Sequence, residues 1–306
     1  MRTPRFAPAA QQTSRRVASL THGAAIAVGL LLTTGCSASL ANGAADVAPT
    51  PPVIAATPTA PSSGYDGLMR LPLSAYGTSE QDDDLLFRTR KALVVRCMKK
   101  RGHSSYSGQN MTRTTAKTEE DKEAVRPAGA WGYLGRATAK RLGFHIGVQP
   151  PTDASRLTGQ AAKDSQACLD EVTAQLPDLT GTRGWKLTQD LFGQSLQQAG
   201  ADRRVSDART HWSACMSSAG HPADDPQKLA DSPWNTAKPT AQEIAAATAA
   251  ESCTRSSGLA AVYFAVLTGY QQQLISTNAT ILTDYQEQVQ KQTGQVAHLL
   301  AAPPAA

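Results

Sequence analysis

Five cysteines and six histidines are the residues of this chain best suited to nucleophilic, redox or metal chemistry. No two of the cysteines form a C-x-x-C, the spacing that holds zinc or cycles between thiol and disulfide. The histidines are His22, His103, His145, His211, His221 and His298. None forms an H-x-x-x-H or H-E-x-x-H pair, which would put two imidazoles on one helix face around a metal. No G-x-S-x-G or S-x-x-K supplies an activated serine, and no phosphate- or dinucleotide-binding glycine pattern follows a strand. The acidic run Glu119, Glu120, Asp121 lies in a polar stretch where carboxylates are ordinarily solvated. These residue types point away from catalysis, and neither a metal site nor a cofactor is expected.

Cys36 stands apart from the other cysteines. Before it come Arg2, Arg5, Arg15 and Arg16 with no acidic residue, then the apolar run Ala24 to Leu32. That run is far shorter than the ~20 residues a membrane-spanning helix requires, so residues 1–35 read as a secretory signal peptide. Thr33-Thr34-Gly35-Cys36 resembles the bacterial lipobox, with Thr33 where that motif prefers Leu. The resemblance implies cleavage before Cys36 and a diacylglycerol on its thiol. The protein would then be extracytoplasmic, lipid-anchored to the outer face of the cell membrane. Ser14-Arg15-Arg16 is similar to a twin-arginine signal, but Ala18 departs from it and leaves the export route open. Four of the 30 Lys+Arg precede Cys36 and none of the 25 Asp+Glu does, so the remainder carries a net charge of only +1. A surface so nearly neutral offers no electrostatic footprint for nucleic acid.

After the anchor, residues 36–65 are rich in Ala, Pro, Thr and Ser and poor in large apolar side chains, and read as a disordered tether. Residues 66–300 are expected to form a single folded domain. Its remaining cysteines, Cys97, Cys168, Cys215 and Cys253, are even in number, which in an exported chain reads as two disulfides. An internal repeat organises them: residues 97–103 and 215–221 are both C-M-x-x-x-G-H. Each ends a helical pattern. In the first, Ser79 caps, with Asp82 three residues on, and Leu85, Leu86, Thr89, Leu93 and Cys97 share a face. In the second, Ser206 or Asp207 caps, and His211, Trp212, Cys215 and Met216 share a face. Gly102 and Gly220 stand where a left-handed residue stops a helix.

Each of these helices precedes another that carries a cysteine. Gln160 to Leu176 turns Ala161, Cys168, Val172 and Leu176 inward before Pro177, and Thr240 to Glu243 is a capping box opening a helix with Ile244 and Cys253. One bridge per unit, Cys97–Cys168 and Cys215–Cys253, is the economical pairing; two other connectivities stay open. The units span about residues 79–177 and 185–256. From Leu259 to about Leu300 no proline interrupts, and Leu267, Leu274 and Ile281 recur every seven residues, with Tyr263, Tyr270, Tyr285, Val289 and Val296 beside them. This is a long C-terminal helix, or a hairpin broken at Gly269 or near Asn278, expected to pack across both units. Its glutamines Gln271, Gln272, Gln273, Gln286, Gln288, Gln290 and Gln292 are expected to be solvated or to meet a partner helix. Residues 103–130 read as a loop, 131–145 as a short helix between turns, and no run of alternating strands is present. The fold class is all-α.

The lipobox, the tether, the paired C-M-x-x-x-G helices and the E-I-A-x-A helix from Glu243 to Cys253 together resemble a group of actinobacterial, Streptomyces-type secreted lipoproteins. The resemblance implies location and fold more than activity. The genetic setting of that group, beside peptidoglycan-binding, membrane-fusion-like and ABC-exporter proteins, implies a non-enzymatic binding or accessory role in a cell-envelope complex, with an envelope protein as partner. The alternative is a solute- or ligand-binding lipoprotein with a pocket between the repeats, lined by Trp131, Trp212 and Trp234.

Overall fold

Ser79 opens the first long helix by a reciprocal cap: its hydroxyl accepts from the Asp82 amide, and the Asp82 carboxylate accepts from Ser79. The computed structural model describes residues 50–111, 133–144, 156–234 and 238–301. The described helices all lie in one compact unit, within Pro51–Ala306. Among the described residues there are ten α-helices, one 3-10 turn and no strand, so the fold is all-α as expected. They are α1 (Gly64–Met69), the turn Pro72–Tyr76, α2 (Glu80–Lys100), α3 (Arg136–Leu142), α4 (Gly159–Gln175) and α5 (Arg183–Ala201). There follow α6 (Arg203–Ser218), α7 (Pro226–Ala230), α8 (Ala241–Ser256), α9 (Leu259–Thr277) and α10 (Ala279–Ala301).

The two C-M-x-x-x-G-H segments end α2 and α6 in the same way. Gly102 and Gly220 take positive φ, 93° and 80°. The following amides turn back onto the methionine carbonyls, His103 to Met98 and His221 to Met216, both at 3.0 Å. The glycine amides bond to Lys99 and Ser217 at 3.1 Å. This double closure satisfies carbonyls that the helix end would otherwise leave bare. Thr240 and Glu243 form the expected capping box at α8.

The cap of α6 lies elsewhere than the sequence pattern placed it. Asp202, not Ser206 or Asp207, accepts from the Arg204 amide, and the helix starts four residues earlier. The reason is burial: Val205 and Ala208 already face the core, so the apolar stripe runs one turn further back. His211 is exposed, while Trp212 and Met216 are fully buried.

Two main packing centres follow. The smaller joins α2 and α4 through Leu93, Val94, Met98, Cys168 and Val172, with Tyr106 folded over it from the loop after α2. The larger is built by α5, α6, α8 and α9 around Trp212, Met216, Phe192, Leu191, Val266 and Leu267. Alanines Ala246, Ala247, Ala250 and Ala260 let these helices approach closely, and Trp212 occupies the resulting seat, donating to Thr254 Oγ1 at 3.0 Å. Residues 133–144 lie inside the sequence span of the first unit, yet Tyr133, Leu134, Ala139 and Phe144 join the larger core. α3 packs on α8, with Gly143 against the buried Glu243: a Cβ there would stand 2.9 Å from Glu243 Cγ.

The C-terminal stripe is one path in two helices. Asn278 interrupts it at φ −120°, with its side-chain amide donating to the Leu274 carbonyl. The halves do not fold back as a hairpin. α9 lies on α5, α6 and α8; α10 crosses α2 and α5. The break shifts the phase, so Leu282 rather than Ile281 is fully buried. α10 thus runs from the larger core, which holds Leu282, to a third, small cluster, where Val296 meets Leu86 and Leu176.

The described end of the proline-rich stretch lies against this body. Pro52 is buried, seated on Gly269, where any Cβ would collide with its ring. Arg204 donates to the Pro52 carbonyl at 2.9 Å while its guanidinium grips Asp202. Among the described residues, packing against this body therefore reaches back to Pro52, ahead of residue 66.

Candidate functional site

The four paired cysteines come together as the repeat implied. Cys97 bonds to Cys168 and Cys215 to Cys253, joining α2 to α4 and α6 to α8. Cys168 and Cys253 are buried, and their partners are half-buried. Such pairs form and persist in an oxidising, extracytoplasmic environment. Cys36 lies outside the described residues, and among those described no helix is long and apolar enough to cross a membrane.

Beside the first bridge, His103 Nε2 lies 2.8 Å from Asp164 Oδ2, and Arg101 reaches both Asp164 and Glu171. The hydrogen bond to His103 is the foremost cause holding the Asp164 carboxyl below its ordinary range. These contacts tie the end of α2 to α4. His221, its counterpart in the repeat, shares the backbone geometry of His103; the carboxylate partner belongs to the first unit. Among the described residues no three His, Cys, Asp or Glu side chains converge as metal ligands would.

Trp212 and Trp234 line no common pocket. Trp212 is sealed in the larger core, and Trp234 stacks on Phe144 with centroids 5.7 Å apart while donating to the Leu229 carbonyl. Trp131, like His145 and the acidic run Glu119 to Asp121, lies outside the described residues.

An open cleft does lie between the two units, with a different lining. It runs between the Pro72–Tyr76 turn, α2, the α4–α5 connection, α5 and α10, and holds about 470 Å³. That is within the ~300–1,000 Å³ common for small-molecule sites. Leu73, Leu86 and Val289 give it an apolar floor, and Trp185, Tyr76 and Tyr285 supply aromatic walls. Asp83, Arg90 and Asp178 are its charged side chains.

Local structure explains the position of each. Thr182 caps α5 and so presents Trp185 in its first turn. Tyr285 lies against Gly184, where a larger residue would strike its ring, and this contact brings α5 and α10 together at the cleft. The Pro177 carbonyl receives hydrogen bonds from Arg90 of α2, at 3.1 Å, and from Gln292 of α10. It thereby fixes the α4–α5 connection at the rim. The Thr78 hydroxyl donates to Asp83 Oδ1, and the Thr180 amide donates to Asp178 Oδ1 at 2.9 Å. Burial, then the charges of Asp178 and Asp83, push the Tyr285 hydroxyl above its ordinary value, so it stays protonated as a donor.

Two of the glutamines expected at the surface are buried instead. Gln271 and Gln292 are internal ties, while Gln272, Gln288 and Gln290 face solvent. A second cavity, of about 60 Å³ beside Tyr263 and Arg209, has room for little more than water. Of the cleft residues, sequence reasoning reached Leu86 and the stripe members Tyr285 and Val289, as core. α5 was missed, although Thr182 and the spacing of Thr188, Leu191, Phe192, Ser195 and Ala199 carry a readable helical signal.

Fold and site define a disulfide-bridged, all-α protein with an open, mixed-polarity cleft between its two bridged units. No family model, curated protein or solved structure matches the chain.

Proposed function

We propose that this protein is an extracytoplasmic lipoprotein, anchored through Cys36, that works by binding and not by catalysis. The observation that carries this reading is the cleft: it is roomy, aromatic-walled and open, yet its polar groups are arranged to hold rather than to react. Of its hydroxyls, Ser74 and Thr188 donate to the Leu68 and Gly184 carbonyls and Thr78 to the Asp83 carboxylate, and no histidine, lysine or cysteine is among its lining residues. The two bridges support an exported location, and the lipobox resemblance supports the anchor.

Mass spectrometry of the membrane-extracted protein tests the anchor. A chain starting at a diacylglycerol-bearing Cys36 is expected, and Cys36→Ser should release the protein to the medium. An unmodified N-terminus elsewhere would overturn it. Thermal-shift screening of small ligands tests the cleft, because a ligand bound only by the folded state raises Tm.

A second reading is an accessory subunit of a cell-envelope, ABC-transport-linked complex. It is favoured by the exposed, polar outer side of α10 around Glu287, Gln288 and Lys291. Site-specific cross-linkers along residues 270–295 in living cells should then trap one envelope protein, and no specific adduct would count against it.

A further inference from the structure

The cleft sets three aromatic rings beside an excess of negative charge. The chain has only 16 Phe, Trp and Tyr residues in all, so three in one cleft is a concentration. Asp83 and Asp178 outnumber Arg90, and one Arg90 amino group is engaged with the Pro177 carbonyl. Both charges act on the same Tyr285 hydroxyl, so they bear on one region of the wall.

Ring faces attract cations, and the attraction grows as water is excluded. A cation entering here would meet the aromatic side chains of Tyr76, Trp185 and Tyr285 and the field of two carboxylates, while its apolar body covered Leu73, Leu86 and Val289. An anion would meet repulsion from both aspartates, with one partly occupied guanidinium to offset it. We infer that the cleft binds an organic cation: an amine or quaternary ammonium group carrying an apolar body. This rests on the reading of the cleft as the binding site.

Three probes of matched shape separate the possibilities: benzyltrimethylammonium, benzyl alcohol and phenylacetate. Each is titrated against the full-length protein in detergent, with Tm and tryptophan emission as readouts. The ammonium probe should raise Tm and shift emission, and the emission change should vanish in Trp185→Phe. Asp83→Asn with Asp178→Asn should weaken its binding by about tenfold or more. Asp178→Asn alone, on an exposed loop, should weaken it partly while leaving the unliganded Tm unchanged. Alcohol or phenylacetate binding as tightly as the ammonium, with the same dependence on Trp185, would overturn the cation class and leave the cleft as a binding site. Failure of all three probes to move either readout would overturn both.

Discussion

Gln271 and Leu73 stand 198 residues apart in the chain, yet the Leu73 amide donates to Gln271 Oε1 at 3.0 Å. The same side chain donates through Nε2 to the Ser195 hydroxyl at 3.2 Å, and it is fully buried. One amide thus joins α9, the Pro72–Tyr76 turn and α5, and sets the turn that forms the upper edge of the cleft. Gln271→Leu keeps the volume but orphans the Leu73 N–H, at a cost of about 1–3 kcal/mol. Urea unfolding should show a lower midpoint with an unchanged slope.

The bridges should differ in local effect. Each closes a loop, of 71 and 38 residues, for which the chain-entropy account gives about 4 kcal/mol. The core around Cys97–Cys168 is much the smaller, so replacing that pair by alanine should expose it selectively. Hydrogen exchange should then quicken in α2 and α4 before it changes in α6 and α8. Uniform quickening would show the two cores to be one cooperative unit.

Gly269→Ala should dislodge the N-terminal segment, because the new methyl group takes the place of the Pro52 ring. Overpacking of this kind costs about 1–3 kcal/mol where the neighbour stays in place. Here release of residues 51–54 is the easier response, and limited proteolysis should cut there first, with the rest of the fold intact.

Acid should weaken the fold through Asp202. Its side chain is buried, and hydrogen bonds from Arg204, foremost among the causes, hold its carboxyl below the ordinary 3.8 against the opposing effect of burial. A carboxyl whose pKa is depressed by folding stabilises the fold above its unfolded value, and this is lost as pH falls through that value toward the folded one. Asp164, lowered foremost by His103, acts in the same direction. Urea midpoints should be flat near neutrality and fall below about pH 5, and Arg204→Met should flatten part of that slope.

The two helix stops offer a matched test. At φ 93° and 80°, Gly102 and Gly220 have open space around them, so alanine suffers backbone strain alone. Each substitution should lower stability by about 1–2 kcal/mol, and the two should add. Thermal melts of the single and double variants check this.

The features legible in the sequence are those decided within a few residues. Ser79 with Asp82, Thr240 with Glu243, and the glycines after each C-M-x-x-x motif act inside one helical turn, and the structure places all of them as read. The cysteine pairing was legible because repetition reduced a long-range question to a choice between units. Asp202 was missed as a cap because it also ends α5, a helix that was itself unrecognised. Of the cleft, single members were visible as core positions, but Asp178, Arg90 and Trp185 carried no sign of their common site.

By itself the sequence determined the all-α class, the caps of α2 and α8, the helix stops at Gly102 and Gly220, the economical pairing of the cysteines and the motif at Cys36, all properties of local backbone chemistry or of repetition. Only the tertiary structure decided that residues 133–144 join the larger core, that Leu282 replaces Ile281 after the break at Asn278, and that Gln271 and Gln292 turn inward. It alone brings α2, α5 and α10 around one cleft. The physical reason is that burial and polar pairing are settled between elements. A glutamine reads the same whether water or the Leu73 amide meets its oxygen, and only the packing of three distant segments decides which.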